Sequence, residues 1–380
     1  MPETVMIVAG ETSGELYGAL LATSLRKKIP GLTVIGIGGQ RMQSAGVRLI
    51  AGIASAFGVA EAISAIRSLR KSFQNAVDAL SREKPAVLVL IDYPDFNLRL
   101  AEKAKQKGIR VLYYVSPQVW AWRKNRIFRI ARLVDRMAVI LPFEVDIYRE
   151  IGLDCEFVGH PVLDEIRGIE TDKAGLKQKL GMDPDKPLLS LLPGSRTHEI
   201  DRLLPILVAL RDIFSSEFSD FQYCIPFAPN TDLTKYQALI GPLKEFGVII
   251  NQGRSLEVLA ASDCAVLASG TATLQAVLLG VPIVVIYKVS LLTAFIGKIL
   301  IHAKFMTLAN ILSDREVVKE FLQEGVTLPN IMDELRKILT DGAHRAAMLD
   351  SYSRIHQIFT SRHASERVAE IVIEMAGWKV

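Results

Sequence analysis

The chain has 380 residues, half of them apolar and 23% charged, which excludes a disordered protein and leaves room for two domains of ordinary size. A net charge of +4 is too small to mark a nucleic-acid binder, yet it suits an anionic ligand or an anionic membrane surface. Cys155, Cys224 and Cys264 are widely spaced among apolar residues, which fits neither a disulfide framework nor a metal cluster and points to a reducing cytoplasm.

In chain order, Met1 runs straight into VMIVAG with no basic segment before a long apolar stretch, so no secretory signal is expected. Thr4 to Ala9 reads as a strand, and GETSGELYG (Gly10 to Gly18) leads into a helix ending near Pro30. Val34 to Ile37 is the next strand, followed by GGQRM and a helical stretch reaching Glu83. AVLVLID (Ala86 to Asp92) is a β-branched run of the kind buried on both faces of a parallel sheet. The strands RVLYYV, RMAVIL and EFVG follow.

From Pro187 the pattern starts again, with LLSLL, FQYCIPF, VII, CAVLA and PIVVIY separated by helical segments. The alternation predicts an α/β fold of two Rossmann-like doubly wound domains facing a central cleft, residues 1–165 and 166–380, divided between Pro161 and Asp185. The tail from Ala343 is helical by pattern, ends apolar and has no strand, and its helices could pack back on the first domain. Val281 to Ile301 has the length of a membrane span, but Pro282 followed by IVVIY reads as a strand. Only Leu291 to Ile301 then remains, as a buried or interfacial helix.

Six stretches carry candidate chemistry. In LLPGSRTHE a strand gives way to Pro193, Gly194, Ser195 and Arg196, then to a helix. Backbone N–H groups there, together with the guanidinium fork, suit an anion, the alternative being an ordinary turn with a surface arginine. LASGTATLQ repeats the arrangement with Ser269, Gly270, Thr271 and Thr273 at a helix start, as an anion site or plain capping. The loop at Gly10 to Gly18 brings Glu11 and Glu15 to the sheet edge and lacks dinucleotide spacing; Thr12 or Ser13 could equally cap the helix. Asp92 ends the strongest buried strand and is the preferred general base over Asp95, while Asp95 or Asn97 could cap the next helix. In SPQVWAWRKNRIFRIARLVDR, two tryptophans precede Arg123, Arg126, Arg129 and Arg132, and His160 follows a strand at the domain boundary. Asp183 and Asp185 lie in a turn-rich linker and are not read as a metal site.

GETSGE, GGQRM, IDYPDFN, YVSPQVWAWR, LPFE, FVGHPVLD, LLPGSR and ASGTATLQ, in this order along nearly the whole chain, closely resemble the lipid-A-disaccharide synthase family. The resemblance implies an inverting glycosyltransferase of the two-Rossmann B type (GT-B) in lipid A, hence lipopolysaccharide, biosynthesis. It would join UDP-2,3-diacylglucosamine to 2,3-diacylglucosamine 1-phosphate and release UDP, with no metal or other cofactor. On that pattern Asp92 is the base, Arg196 acts on the UDP side, and Asn310 matches a family asparagine counted with the catalytic residues. Gly194, Ser195, Ser269, Gly270, Thr271, Thr273 and Gln275 would bind the UDP-sugar, whereas Glu11, Ser13, Glu15, Trp122, Arg123 and His160 would face the acceptor.

Three positions depart from the pattern: Gln275 stands where relatives often hold the ribose with glutamate, Glu15 where aspartate occurs, and Ala309 where a proline stiffens the loop. Acyl-chain substrates imply peripheral attachment to the anionic cytoplasmic face of the inner membrane. Phe57 to Phe73 and Leu291 to Ile301 are the candidate contacts, each readable as core instead. A homodimer is left open, and no nucleic-acid partner is expected. Two rivals stand beside this reading: another UDP-sugar enzyme, such as an epimerase or a different glycosyltransferase, and a non-catalytic lipid or nucleotide binder.

Overall fold

The computed structural model describes residues 3–52, 59–120, 126–289, 304–360 and 362–379, with side chains of the helix Val59–Glu83 described from Arg67 onward. The chain forms two compact units, Met1–Asp164 with Thr360–Val380, and Glu165–Phe359.

The first unit is built on a seven-stranded parallel sheet. Its strands are β1 (Thr4–Ala9), β2 (Thr33–Gly38), β3 (Arg48–Gly52), β4 (Val87–Ile91), β5 (Arg110–Tyr114), β6 (Arg136–Val139) and β7 (Cys155–Phe157), arranged β3-β2-β1-β4-β5-β6-β7. β1 and β4 are buried at every position, which explains their unbroken apolar sequence: helices cover both faces, so no alternation is needed. The edge strand β3, RLIAG, is half-buried at its centre, exposed at both ends, and lacks that signature.

The last helix, Ala364–Ala376, belongs to this unit. It packs against the helix Thr12–Lys28, burying Val368, Ala369, Ile371 and Val372. Ion pairs fasten it further, Lys28 to Glu370 at 3.0 Å and Arg367 to Glu156 at 2.6 Å. The preceding helix, Gly342–Thr360, lies in the second unit up to Phe359.

The second unit carries a six-stranded parallel sheet of β8 (Leu188–Leu192), β9 (Gln222–Phe227), β10 (Ile249–Gln252), β11 (Cys264–Ala268), β12 (Ile283–Tyr287) and β13 (Lys319–Leu322), in the order β10-β9-β8-β11-β12-β13. β8 and β11 are its buried centre.

Both sheets share one winding. The chain moves outward from the first strand of each unit, then returns to that strand's other side and continues outward the opposite way. The order therefore reverses between β1 and β4, and again between β8 and β11, which pair directly. Loops leaving the carboxyl ends at such a reversal diverge and open a crevice, the usual seat of a ligand in a doubly wound sheet. Gly10–Gly18 and Asp92 follow β1 and β4; Pro193–Arg196 and Ser269–Thr271 follow β8 and β11.

Among the described residues no helix is long and apolar enough to cross a membrane. Residues 291–301, proposed above as an interfacial helix, lie outside the described residues. In the helix Val59–Glu83, Leu69 and Phe73 pack on the core while Arg67, Arg70 and Lys71 are exposed.

Candidate functional site

At the first reversal, Asp92 and Tyr93 both adopt left-handed backbone, with φ of 45° and 47°. Such a conformation costs of order 1–3 kcal/mol per non-glycine residue and persists only where the surroundings enforce it. Here the enforcement is visible. The Tyr113 hydroxyl donates to the Asp92 carbonyl at 2.6 Å, and the fully buried Asn97 amide donates to the same carbonyl at 2.7 Å and to that of Ile91 at 3.1 Å. Asn97 thus reaches back to the strand end rather than capping the helix Pro94–Gln106. Gly10 is required opposite this turn, because a Cβ there would lie 2.2 Å from the Tyr93 ring. The clamp leaves the Asp92 side chain half-buried at the sheet edge. Asp95, the less favoured alternative, is exposed and pairs with Arg126 at 2.7 Å.

The expected acceptor residues separate. Glu11 is exposed and Ser13 half-buried at the start of the helix Thr12–Lys28, where no side chain caps the helix. Glu15 is occupied differently from the expectation: its carboxylate accepts the Arg41 N–H at 2.7 Å and braces the helix Gln40–Ser44. His160 is enclosed. It is 3% exposed, its Nδ1 accepts the Val162 N–H at 3.2 Å, and burial pushes its pKa down to about 3. A neutral, enclosed imidazole of this kind orders the boundary turn. Trp122 and Arg123 lie outside the described residues.

The stretch leading to them is anchored by Glu144, which sequence reading passed over. Its buried carboxylate accepts the Ser116 hydroxyl at 2.6 Å, the Trp120 indole N–H at 3.3 Å and the Leu141 N–H at 3.3 Å. Burial outweighs these bonds and raises its pKa from 4.5 to about 7. The folded protein then keeps a proton that the unfolded chain has already lost. Stability should therefore fall as pH rises from 4.5 to about 7, by about 3 kcal/mol. Against Glu144→Gln, which stays neutral throughout, wild-type unfolding free energy in urea should decline across that window and run parallel outside it. A constant difference would show that Glu144 titrates normally.

At the second reversal the PGSR loop differs from its expected form. Gly194 has φ +105°, and a Cβ there would meet the Glu199 carboxylate at 2.4 Å. Glu199, buried in the first turn of the helix Thr197–Glu217, folds back to accept the N–H groups of Ser195 at 3.0 Å and Arg196 at 3.2 Å. Those donors, expected to hold an anion, already hold a carboxylate. What the loop offers outward is the Arg196 guanidinium, 57% exposed and 3.6 Å from the other Glu199 oxygen.

Beside it, the helix Thr271–Leu278 starts at Gly270 with no side-chain cap, leaving its positive end to a ligand. Ser269 and Thr271 are half-buried there. Thr273 is not available: it is 3% exposed and its hydroxyl donates to the Gly270 carbonyl at 2.7 Å. Gln275 donates to Glu165 at 2.7 Å.

Asn310, expected with the catalytic residues, is fully buried and fully used. Its amide nitrogen donates to the Val318 carbonyl at 2.8 Å and to Glu320 at 2.7 Å, and its oxygen accepts the N–H groups of Val317 and Val318 at 2.7 and 2.9 Å. No polar capacity is left for a substrate. Among the described residues no group of three or more histidine, cysteine or acidic side chains is arranged to hold a metal ion. The three cysteines are separate buried thiols, each raised to about 12 mainly by burial.

A sequence model of lipid-A-disaccharide synthetases matches residues 5–372. The lipid-A-disaccharide synthase of Myxococcus xanthus is 41% identical over 378 residues, covering 98% of each chain. The chain belongs to the lipid-A-disaccharide synthase family. It is accordingly a glycosyltransferase of lipid A biosynthesis.

Solved structures give the architecture of this family member. A UDP-GlcNAc 2-epimerase from Neisseria meningitidis, bound to UDP-GlcNAc, matches with a TM-score of 0.65 at 13% identity, covering 98% of each chain. The calicheamicin glycosyltransferase CalG4 matches with a TM-score of 0.66 at 13% identity, covering 99% of each chain. Two doubly wound parallel-sheet units are the GT-B fold, and at such identities the likeness shows the fold alone.

Proposed function

We propose that the chain condenses UDP-2,3-diacylglucosamine with 2,3-diacylglucosamine 1-phosphate, giving lipid A disaccharide 1-phosphate and UDP. The observation that carries this reading is the double reversal, with a clamped carboxylate, Asp92, at one sheet edge and an exposed guanidinium beside an uncapped helix at the other. Inversion needs both. The acceptor hydroxyl oxygen attacks the donor's anomeric carbon as the bond from that carbon to the diphosphate oxygen breaks. The hydroxyl proton goes to Asp92, and the leaving negative charge meets Arg196 and the helix N-terminus at Gly270 and Thr271.

Ser269 and Thr271 supply hydroxyls to the diphosphate. Gly194, Ser195, Glu199, Thr273 and Asn310 act as positioning residues for the donor side, as Asn97 and Tyr113 do for Asp92. The first unit takes the acceptor and the second the UDP-sugar. Peripheral attachment to the cytoplasmic face of the inner membrane is supported by the helix Arg126–Leu133, where Phe128 is 63% exposed beside the exposed Arg129 and Arg132.

UDP release from the donor with and without the acceptor, in EDTA, tests the reading. Acceptor-dependent release that survives chelation is expected. Release without acceptor would indicate another UDP-sugar reaction, and UDP-sugar binding with no release would indicate a binding protein.

A further inference from the structure

The carboxyl end of β5 carries a second strained turn beside the one at Asp92. Val115 takes up left-handed backbone, with φ of 63°, a conformation uncommon for any side chain and least tolerated by a β-branched one. β5 pairs directly with β4, so the two turns are neighbours at one sheet edge. They are also bonded. The Asp92 N–H donates to the Tyr114 carbonyl at 3.3 Å, and the Tyr113 hydroxyl donates to the Asp92 carbonyl at 2.6 Å. The path of the chain as it leaves β5 therefore bears on where Asp92 sits.

That path is held from the next strand outward. The Val115 N–H donates to the Ala138 carbonyl of β6 at 3.1 Å. Ser116, the next residue, is buried and donates its hydroxyl to Glu144 at 2.6 Å, and Trp120, four residues on, donates its indole N–H to the same carboxylate oxygen at 3.3 Å. The Trp120 ring meets Phe143 edge to face, with centroids 5.3 Å apart. Between them, the Pro117 carbonyl accepts the Tyr148 hydroxyl at 3.4 Å. The second Glu144 oxygen accepts the Leu141 N–H at 3.3 Å, so one side chain ties the loop after β5 to the loop after β6. Apolar packing would hold two loops together. A buried acceptor bonded to both ends of one of them also selects a single conformation for it.

We propose that Glu144 is a positioning residue for the transfer reaction: by holding both ends of the loop Ser116–Trp120 it keeps the Val115 turn, and through it Asp92, aligned with the acceptor hydroxyl. This rests on the transferase reading with Asp92 as base. The competing role is a tie that serves stability alone.

Steady-state kinetics of the whole protein, with both substrates varied and melting temperatures measured alongside, separate the two. Glu144→Ala should lower kcat by roughly ten- to a hundredfold, the scale on which a displaced reacting group costs rate, with KM for the UDP-sugar held within about twofold. Glu144→Gln should recover most of that loss, because its amide oxygen still accepts from Ser116 and Trp120. Ser116→Ala combined with Trp120→Phe removes both donors, keeps a ring against Phe143 and leaves Glu144 in place. It should reproduce the fall in kcat, and it carries the test if Glu144→Ala fails to fold. A lowered melting temperature with kcat unchanged in the folded variants would reduce Glu144 to a structural tie. An equal rise in KM for both substrates with kcat unchanged would overturn the proposal too, as a general loosening. Absence of acceptor-dependent UDP release from the wild type would overturn the transferase reading itself.

Discussion

Asp92→Asn should lower kcat by about three orders of magnitude while leaving the affinity for UDP-sugar within about twofold, since general-base catalysis contributes roughly 10²- to 10⁴-fold. The substitution isolates the chemistry. Asparagine has the shape of aspartate and tolerates left-handed backbone at least as well, so the φ of 45° is no obstacle. The bonds from Tyr113 and Asn97 reach the Asp92 carbonyl, not its side chain, and so survive. Melting temperature should barely move. What is lost is the ability to take a proton from the acceptor hydroxyl. Steady-state kinetics with both substrates varied check this, and a kcat within tenfold of wild type would place the base on another residue. Asn97→Ala is the informative companion, because it keeps the carboxylate and removes two of the bonds holding the turn; it should lower both kcat and melting temperature.

Much of the architecture can be read from the chain, and the exceptions have a common cause. β1, β4, β8 and β11 are near-continuous apolar runs because covered central strands need no polar face. β3 and β13 escape the same reading because they lie at sheet edges, where RLIAG and KEFL mix charge with half-exposed apolar residues. Asp92 and Arg196 stand out for a related reason: each ends a legible strand at a turn, and strand order then places both at a reversal. Side-chain commitments are another matter. That Glu199 fills its own loop, that Asn310 spends its whole amide on a neighbouring turn and on Glu320 of β13, and that Asn97 bonds backward depend on three-dimensional reach rather than spacing. Glu165 meets Gln275 across 110 positions, which no local pattern encodes.

Glu199 also decides what to expect of Arg196→Ala. Had the PGSR loop met the diphosphate with its N–H groups, losing one exposed side chain would matter little. Instead the Ser195 and Arg196 N–H groups are committed to the Glu199 carboxylate, whose negative charge opposes a second anion nearby. The guanidinium is then the loop's positive contribution, and it acts most strongly as charge develops on the departing UDP. Removing such a donor typically costs 10²- to 10³-fold in kcat, with a smaller rise in KM because the ground-state diphosphate keeps the helix N-terminus at Gly270 and Thr271. Arg196→Lys should recover part of the loss, restoring charge without the planar fork. Both variants should fold normally, since the Arg196 side chain is 57% exposed and its backbone bond to Glu199 is retained. A kcat within tenfold of wild type for Arg196→Ala would shift the leaving-group charge onto the helix dipole and the hydroxyls of Ser269 and Thr271. The PGSR turn would then serve mainly to seat Glu199.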